Sequence, residues 1–350
     1  MSQNGEQAPE QPQSPSDVFK QRTTKLAALK EAGINAYGGR VDDVVSTTEA
    51  RSAFEKAAED EEVRVVLAGR LMAKRIMGKS IFADIKDENG RLQLYVQKKV
   101  LEDQFQIFKS LDLGDILTAT GTIFVTRMGE VSLRVEQFRI LSKSLRALPE
   151  KWHGLTNVEQ RYRQRYLDLI VNDDVRETFR TRSRIVASIR SYMADQGFME
   201  VETPMMQPLA GGAAARPFKT HYNALGCPMY MRIAPELYLK RLLVGGFEKV
   251  FELNRNFRNE GLSRRHNPEF TMIEAYQAYS DCQGMMELVE GMITTAARDV
   301  LGTLILEKEG RETLDLTPPW RRVTYAELIR ETMGEDWYDL PTDKKREKAR

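Results

Sequence analysis

The sequence predicts an α+β protein in which an N-terminal five-stranded β-barrel precedes a domain built on an antiparallel sheet flanked by helices. Two observations predict it. Five short apolar or alternating segments lie between residues 63 and 145, and two alternating segments enclose a cationic loop between residues 251 and 276. Alternation with a period of two is typical of strands that bury one face. The chain has 350 residues, 41% of them hydrophobic, which is enough for two domains.

Composition excludes several classes of function. The formal net charge is +1, so any nucleic-acid contact must come from local patches. Cys227 and Cys282 are too few for a disulfide framework, and we expect a reducing cytoplasm. There is no apolar core of a signal peptide and no 18-residue apolar run, so no membrane partner is expected. The separated His153, His221 and His266 predict neither a zinc site nor a nucleophilic triad.

The first 60 residues precede the barrel. Residues 1–15 are rich in Gln, Pro, Ser and Glu, which predicts a disordered tail. Residues 16–60 are predicted to form a helical extension, with Ser16 capping a helix over about 17–32. That helix carries Lys20, Arg22, Lys25 and Lys30. Taken alone, these cations most simply form a solvated face.

The segment 61–145 has the pattern of an OB-fold. It contains five predicted strands, and the ENG sequence at 88–90 is a strong hairpin signal. OB-folds bind single-stranded nucleic acid by stacking bases on aromatic side chains. Arg70, Phe82 and Gln93 lie on the first three strands, although each one alone is more simply structural.

The second domain is predicted to span residues 176–350, after a connector at 146–175 that ends in a basic-aromatic helix. Its first element is a helix with apolar residues at helical spacing between 179 and 193, followed by a strand that ends in Thr203-Pro204. The small-residue loop 211–218 allows close backbone approach to a ligand.

The cationic hairpin carries the strongest chemical signal. It reads FRNEGLSRRHNPEFTMIEAY from Phe257 to Tyr276. Because side chains alternate along strands, Arg258, Phe270, Glu274 and Tyr276 are predicted on one face. Arginine presents a rigid fork of donors that matches phosphate and carboxylate oxygens, so this face suits a polyphosphate ligand.

These residues resemble motif 2 of the class II aminoacyl-tRNA synthetases, and the spelling is closest to the lysyl-tRNA synthetases. The resemblance runs from about Val63 to about Tyr279 and implies an antiparallel catalytic sheet. It also implies that Arg258 bridges the substrate carboxylate and the α-phosphate of ATP. Residues that would hold ATP with Arg258 are Glu260, His266, Asn267 and Phe270, and the folded triphosphate would carry Mg²⁺.

The resemblance also implies a substrate. Gly212 and Glu236 match positions that hold the α-amino group of lysine, and Glu274 and Tyr276 match positions near its ε-amino group. Related aspartyl enzymes have glutamine where Glu236 stands and need a cation at the specificity end. Acids at both positions therefore favour L-lysine.

Contacts to tRNA follow from the same resemblance. Arg70, Phe82, Gln93 and, more weakly, Glu130 match positions that read the anticodon, and the N-terminal helix matches an accessory tRNA contact. The helix and strand that end at Thr203-Pro204 resemble motif 1, which implies a homodimer.

One departure from the family pattern is a missing third motif, a glycine-rich strand and helix with an ATP-binding arginine. The family's magnesium ligands also belong beyond Arg350. We therefore expect the sequence to be an N-terminal portion of a catalytic domain, with little activation by the 350 residues alone.

Several functions remain open at the level of sequence. The leading hypothesis is a lysine–tRNA ligase. The alternatives are an aspartyl- or asparaginyl-tRNA ligase, a catalytically incomplete tRNA-binding paralogue, and an enzyme that adds lysine to a protein. Glu236 and Glu274 argue against the first alternative, and the OB-fold argues against the last.

Overall fold

The computed structural model describes residues 14–58, 61–149, 155–263, 265–307 and 309–349, in two compact units, Met1–Asp173 and Asp174–Arg350. The α+β prediction is confirmed, because a five-stranded barrel lies in the first unit and a strand hairpin with helices lies in the second. The predicted tail, apart from its last two positions, and His153 lie outside the described residues. No helix within the described ranges is long and apolar enough to cross a membrane.

The N-terminal extension contains α1 (Pro15–Glu31) and α2 (Thr47–Lys56). The cap of α1 is Ser14, whose hydroxyl accepts from the Asp17 backbone N–H, so the prediction of Ser16 is wrong. Pro15 explains the shift, since proline favours the first position of a helix and has no N–H to satisfy. Leu26 and Leu29 of α1 are buried in the barrel core.

The barrel is closed and follows the order β1-β2-β3-β5-β4, with β4 pairing back to β1. Its strands are β1 (Arg64–Met77), β2 (Ser80–Lys86), β3 (Arg91–Gln97), β4 (Ile116–Val125) and β5 (Val131–Ser142). Short helices α3 (Lys98–Leu101) and α4 (Gln104–Ser110) connect β3 to β4. The alternating inward residues, such as Leu71, Ile85 and Leu94, are fully buried, which explains the period-two pattern.

A buried ionic cluster fastens α1 to the barrel. Lys143 lies 2.5 Å from Asp112 and 3.0 Å from Asp115, and Lys25 of α1 lies 2.5 Å from Asp112. Burial opposes ionisation of Asp112, but the hydrogen bonds from Lys143 and Lys25 hold its pKa below the ordinary value. Arg22 of α1 is also buried and donates to the backbone oxygens of Ser144 and Arg146. Two of the four cations predicted as a solvated face therefore have structural partners.

The connector contains α5 (Val158–Arg163) and α6 (Arg165–Val171) and is followed by the long helix α7 (Asp173–Asp195). Asp168 of α6 is fully buried and accepts hydrogen bonds from Arg161 and Arg165. Gly197 follows α7 with a φ of +81°, a conformation that favours glycine. The strand predicted after it is short, β6 (Met199–Glu200). It pairs in parallel with the first strand of the cationic hairpin, at Val250 and Phe251.

The second unit is organised around the hairpin of β10 (Lys249–Phe257) and β11 (Glu269–Gln277), in a sheet of order β11-β10-β6. A second sheet has β7 (Met206–Gln207), β8 (Lys219–Tyr222) and β9 (Cys227–Met231); β12 (Ile305–Leu306) pairs with β13 (Leu314–Asp315). The remaining helices are α8 (Glu236–Val244), α9 (Cys282–Leu301), α10 (Tyr325–Met333), a 3₁₀ turn at Glu335–Tyr338, and α11 (Thr342–Lys348).

Packing gives the hairpin one apolar face and one polar face. Phe251 and Leu253 are buried in a core with Met193 and Phe198, which come from the end of α7 and the residues after it. The opposite face of the same strand carries Glu252, Asn254 and Asn256. The core therefore fixes the sheet from one side and leaves polar groups on the other.

Candidate active site and nucleic-acid groove

The pairing of the two hairpin strands places the predicted site residues Glu274 and Phe270 on one polar face. Glu252 lies directly opposite Glu274, and Asn256 lies directly opposite Phe270. Residues directly opposite each other on antiparallel strands share a face. The acids therefore lie towards one end of the hairpin, and Phe270 lies towards the turn.

At the turn end of this face, the Arg258 cation lies over the Phe270 ring. The Arg258 guanidinium carbon lies 5.2 Å from the centre of the Phe270 ring, and the Arg258 backbone N–H donates to Pro268 O at 2.8 Å. The first contact places a cation over an aromatic face, and the second closes the loop. Together they offer a phosphate-binding donor beside a flat apolar plate.

The small-residue loop at 211–218 is attached to the turn of the hairpin. The Asn259 N–H donates to Arg216 O at 2.7 Å, and the Arg216 N–H donates to a Glu260 carboxylate oxygen at 3.3 Å. An open cavity of about 590 Å³ lies here, lined by Ala214, Ala215, Arg216, Asn259, Glu260 and Gly261. Glu260 therefore lines an open cavity that residues of the 211–218 loop bound on one side.

His266 and Asn267 lie on the exposed part of the turn. The His266 Nδ1 atom and the Ser263 hydroxyl are 2.7 Å apart, and the two residues also exchange backbone hydrogen bonds. Asn267 is exposed. The structure therefore places both residues on the exposed turn rather than on the strand face that carries Phe270.

Gly212 and Glu236, which the sequence predicts on the same side of the substrate, lie close together. Gly212 has a φ of +88°, and a Cβ atom added there would lie 2.8 Å from the Glu236 Cβ. Glu236 is the first residue of α8 and forms an ion pair with Lys240 one turn later. The side chain of Lys240 is 56% exposed, so this cation can move into water.

Glu274 and Tyr276 are adjacent on the polar face, and the Tyr276 hydroxyl donates to the Glu274 carboxylate at 3.2 Å. Burial raises the pKa of Glu274, and the negative charges of Glu236 and Glu252 add to the rise. Burial and the nearby Glu274 also raise the pKa of Tyr276. The Glu274 carboxylate is therefore partly desolvated, and a neighbouring cation would stabilise its ionised form.

Sequence reasoning missed a buried ion pair beneath this site. Arg232 is 0% exposed, and its Nη1 atom lies 2.5 Å from a carboxylate oxygen of Glu252, which is 1% exposed. The other Glu252 oxygen accepts from the Thr203 hydroxyl at 2.6 Å. The partner of Glu252 is 20 residues away in sequence, and no local pattern links the two.

Unsatisfied buried polar atoms concentrate on the same face. Arg232 Nη2, Asn256 Oδ1 and Arg258 Nε are buried and have no hydrogen-bond partner within the described residues. A buried polar atom without a partner costs about 1–3 kcal/mol. Three such atoms around one hairpin face are typical of a site that a polar ligand completes.

The barrel carries a separate groove of about 850 Å³. It is lined by Ala73, Lys74, Arg75, Met77, Phe82, Asp84, Gln93, Tyr95, Phe124, Thr126, Arg127, Met128 and Glu130. Three predicted anticodon residues, Phe82, Gln93 and Glu130, are thus brought together. Arg70 is not among the lining residues, and its guanidinium donates to Gly114 O at 2.8 Å. Burial lowers the pKa of Arg70.

Aromatic rings line the groove in series. The Phe82 and Tyr95 centroids are 5.0 Å apart, and those of Tyr95 and Phe124 are 5.7 Å apart. The Arg134 guanidinium lies 4.8 Å from the Phe124 ring centre. Tyr95 and Phe124 were not predicted as site residues. Tyr95 lies on the same strand and face as the predicted Gln93, which was an available signal, whereas β4, which carries Phe124, holds no predicted contact.

Within the described part of the chain, no group of three or more His, Cys, Asp or Glu side chains is arranged to hold a metal ion. We assign Mg²⁺ to none of the described residues.

Comparison with known proteins agrees with both parts of this arrangement. Residues 157–350 match the family model described as tRNA synthetases class II (D, K and N), and residues 65–141 match an OB-fold nucleic acid binding domain. The chain therefore belongs to the class II tRNA synthetases of this family.

Individual relatives are similar over nearly all of this chain. The lysine–tRNA ligase of Pelotomaculum thermopropionicum is 53% identical over 334 residues, which is 95% of this chain and 65% of the relative. The lysine–tRNA ligase of Moorella thermoacetica is 54% identical over 93% of this chain and 66% of its own length. That of Bacillus subtilis is 48% identical over 95% and 68%. The chain thus spans about two thirds of the length of these relatives.

Proposed function

We propose that the protein is a lysine–tRNA ligase, which activates L-lysine with ATP to lysyl-adenylate and pyrophosphate and then transfers lysine to the 3′ end of its tRNA. The observation that carries this proposal is one hairpin face with Arg258 over Phe270 at one end and Glu274, near Glu236, at the other. Relatives named lysine–tRNA ligase, 53% and 54% identical, support it.

The activation step requires positioning and charge stabilisation rather than a protein nucleophile. The lysine carboxylate attacks the α-phosphorus of ATP, and the bond to the pyrophosphate oxygen breaks. Arg258 would bind the carboxylate and the α-phosphate together and stabilise the charge that develops on the phosphate oxygens. The unpaired Nε atom of Arg258 supports this role, because a donor remains available there.

The nucleotide base would lie on Phe270, with Glu260 accepting a hydrogen bond from the adenine amine. His266 and Asn267, on the exposed turn, would help to hold the nucleotide. Mg²⁺ would arrive with the triphosphate and offset its negative charge. No described residue is assigned to that ion.

Lysine recognition would use the acids at both ends of the substrate. Gly212 and Glu236 would hold the α-ammonium group, and Glu274 and Tyr276 would hold the ε-ammonium group. The contact of Gly212 with Glu236 supports the first role, since only a residue without a Cβ atom leaves that approach open. The desolvation of Glu274 supports the second role, because an ammonium ion would relieve it.

The anticodon would bind in the barrel groove, with Phe82 stacking on a base and Gln93 and Glu130 reading base edges. Arg70 would act more weakly, since its guanidinium is already bound to Gly114 O. The groove's cations Lys74, Arg75 and Arg127 support binding of the phosphate backbone. Lys20 and Lys30 of α1 would add an accessory tRNA contact.

The assembly and location are also proposed. We expect a homodimer that pairs through α7 and β6, which occupy the place of motif 1. We expect the protein to act in the cytoplasm, where its tRNA substrate is used. The free thiols of Cys227 and Cys282 are compatible with a reducing compartment.

The test is amino-acid-dependent ATP–pyrophosphate exchange with the full natural protein. Lysine is expected to drive exchange, and aspartate and asparagine are not, because a second carboxylate or an amide leaves Glu274 without a cation. Faster exchange with aspartate or asparagine than with lysine would show that lysine is not the substrate. Transfer of radiolabelled lysine to a lysine-accepting tRNA then tests the second step.

A further inference from the structure

The acidic end of the hairpin face holds more charge than the proposed contacts use. Three carboxylates, Glu236, Glu252 and Glu274, and one guanidinium, Arg232, are gathered there. Glu252 lies directly opposite Glu274 and is ion-paired to Arg232, and the charges of Glu236, Glu252 and Arg232 each affect the pKa of Glu274. They come from α8, β10, β11 and the residues before α8. A substrate with two ammonium groups neutralises two carboxylates, so one of the three must be neutralised internally.

Arg232 is fixed in place by the backbone as well as by Glu252. Its Nε atom donates to Arg255 O at 2.8 Å, and its Nη1 atom donates to Thr203 O at 3.3 Å and to the Thr203 hydroxyl at 3.2 Å. The residue is 0% exposed. Arg232 therefore cannot exchange its partners for water as an exposed cation does.

Glu252 is correspondingly unavailable to a ligand. One carboxylate oxygen accepts from Arg232, and the other accepts from the Thr203 hydroxyl. Glu236, by contrast, is paired with the largely exposed Lys240, which can withdraw into water when a ligand amine arrives. Two carboxylates at this end, those of Glu236 and Glu274, therefore remain available to a ligand.

We propose that Arg232 is a positioning residue for substrate selection: by holding Glu252 in an internal ion pair, it leaves Glu236 and Glu274 as the two carboxylates that a diamino substrate neutralises. This inference rests on the proposed function and adds a residue to it. It explains why a cation is buried directly beneath a site that binds cations.

The electrostatic consequence concerns Glu274. Glu252 lies directly opposite it, and two unneutralised acids at that spacing would each favour protonation of the other. Arg232 lowers the pKa of Glu274 while burial, Glu236 and Glu252 raise it. Arg232 therefore helps to keep Glu274 ionised and ready for the ε-ammonium group at neutral pH.

A double-mutant cycle on the full natural protein tests this, with lysine KM and kcat measured by pyrophosphate exchange from pH 6 to pH 9. Glu252→Gln frees the Arg232 cation beside Glu274, and we expect lysine KM to rise roughly tenfold or more with a smaller change in kcat. Arg232→Met leaves two facing acids unneutralised. We expect its lysine KM to be roughly tenfold higher at pH 6 and to approach the unsubstituted value as the pH rises.

The combined variant Arg232→Met/Glu252→Gln is decisive, because it removes both charges and keeps similar volumes. Replacement of a buried ion pair by uncharged residues of similar volume is often tolerated, so this variant is expected to fold even if Arg232→Met does not. We expect its lysine KM to be within roughly threefold of the unsubstituted value, with a normal pH profile. Thermal unfolding of each variant reports on folding.

A matched control is the exposed pair Arg255–Glu269, which lies on the same two strands with its side chains 50% and 55% exposed and 3.3 Å apart. Arg255→Met/Glu269→Gln is expected to leave lysine KM unchanged. If the combined Arg232 and Glu252 variant is as poor as the worse single variant at every pH, Arg232 only supports the backbone and the inference is overturned. If the unsubstituted protein shows no lysine-dependent exchange, the proposed function itself fails.

Discussion

Glu252 and Glu274 lie directly opposite each other on β10 and β11, yet their environments differ: Glu252 is ion-paired to Arg232, and Glu274 accepts a hydrogen bond from Tyr276. Two identical side chains on one face thus have separate roles. Glu252 is part of the protein interior, and Glu274 is the acid that we propose for the ligand. This difference supplies the first prediction.

Glu274→Gln keeps the shape of the side chain and removes its charge. We expect lysine KM to rise strongly and ATP KM to change little, because only the lysine end of the site loses an anion. Steady-state exchange kinetics with each substrate varied in turn measure both. Equal changes in the two KM values would assign Glu274 to fold support.

The raised pKa of Glu274 gives this site a pH dependence. Burial is the main cause of the rise, so the carboxylate becomes protonated at a higher pH than an exposed glutamate does. Lysine affinity is therefore expected to fall as the pH falls through this raised pKa and to be constant above it. The Glu274→Gln variant, which has no such group, is expected to lose this part of the pH dependence of lysine KM.

Arg258→Ala is expected to impair activation while tRNA binding stays nearly intact. Loss of a charged contact made in the transition state costs about 3–4 kcal/mol, roughly a 10²–10³-fold fall in rate. Single-turnover adenylate formation measures the rate, and filter binding measures tRNA affinity. A fall of less than tenfold would mean that Arg258 acts mainly in structure.

Gly212→Ala is expected to weaken lysine binding through a steric clash. The added methyl group would lie 2.8 Å from the Glu236 Cβ and 3.2 Å from the Ala234 Cβ. The expected rise in lysine KM is roughly tenfold, equivalent to about 1.4 kcal/mol. Gly246→Ala is the matched control, because Gly246 also has a positive φ, +103°, but nothing lies within 4 Å of its added Cβ. That variant is expected to lose stability only.

Phe82→Ala tests the barrel groove. Stacking on one aromatic side chain contributes about 1–3 kcal/mol per base, so affinity for a lysine-anticodon stem-loop is expected to fall roughly ten- to a hundredfold. Lysine-dependent exchange is expected to be unchanged, because the residues that we propose for adenylate formation lie in the other unit. Equal binding of a stem-loop with a changed central base, by both wild type and Phe82→Ala, would falsify the assignment of this groove to sequence reading.

The ionic cluster predicts acid sensitivity of the barrel. The folded-state pKa of Asp112 is depressed, so its contribution to stability is present above its unfolded pKa of about 4 and is lost as the pH falls through the lower folded value. The protection of the barrel amides from hydrogen exchange, relative to the intrinsic rate at each pH, is expected to decrease over that range. Lys143→Met leaves buried acid unpaired and is expected to cost about 3–5 kcal/mol at neutral pH. Undiminished amide protection in this variant would contradict that role.

Residue patterns with a short period were the most predictable part of the molecule. The two faces of the hairpin follow from alternation, which needs only local geometry. The barrel strands were predictable for the same reason. The helices α3 and α4 were not predicted, because segments of four and seven residues are too short for a helical period to show.

Contacts between distant parts of the chain could not be predicted from the sequence. The partner of Arg232 is 20 residues away, and Arg70 is bound to the carbonyl of Gly114, 44 residues away. Neither pairing leaves a periodic trace. For Arg70, the family position alone suggested a nucleic-acid contact, while folding gives its guanidinium a backbone partner.

The hydrogen bonds of Arg216 to Asn259 and Glu260 have a consequence for how the binding of one substrate affects the binding of the other. They tie the loop at 211–218, which includes Gly212 of the proposed lysine site, to the turn that would hold adenine. A ligand that orders either segment thereby orders the other and lowers the entropic cost of the second association. We therefore expect positive thermodynamic coupling between ATP and lysine. Calorimetric titration of one substrate in the presence and absence of the other would measure this coupling, and Arg216→Pro, which removes the donated N–H, is expected to reduce it.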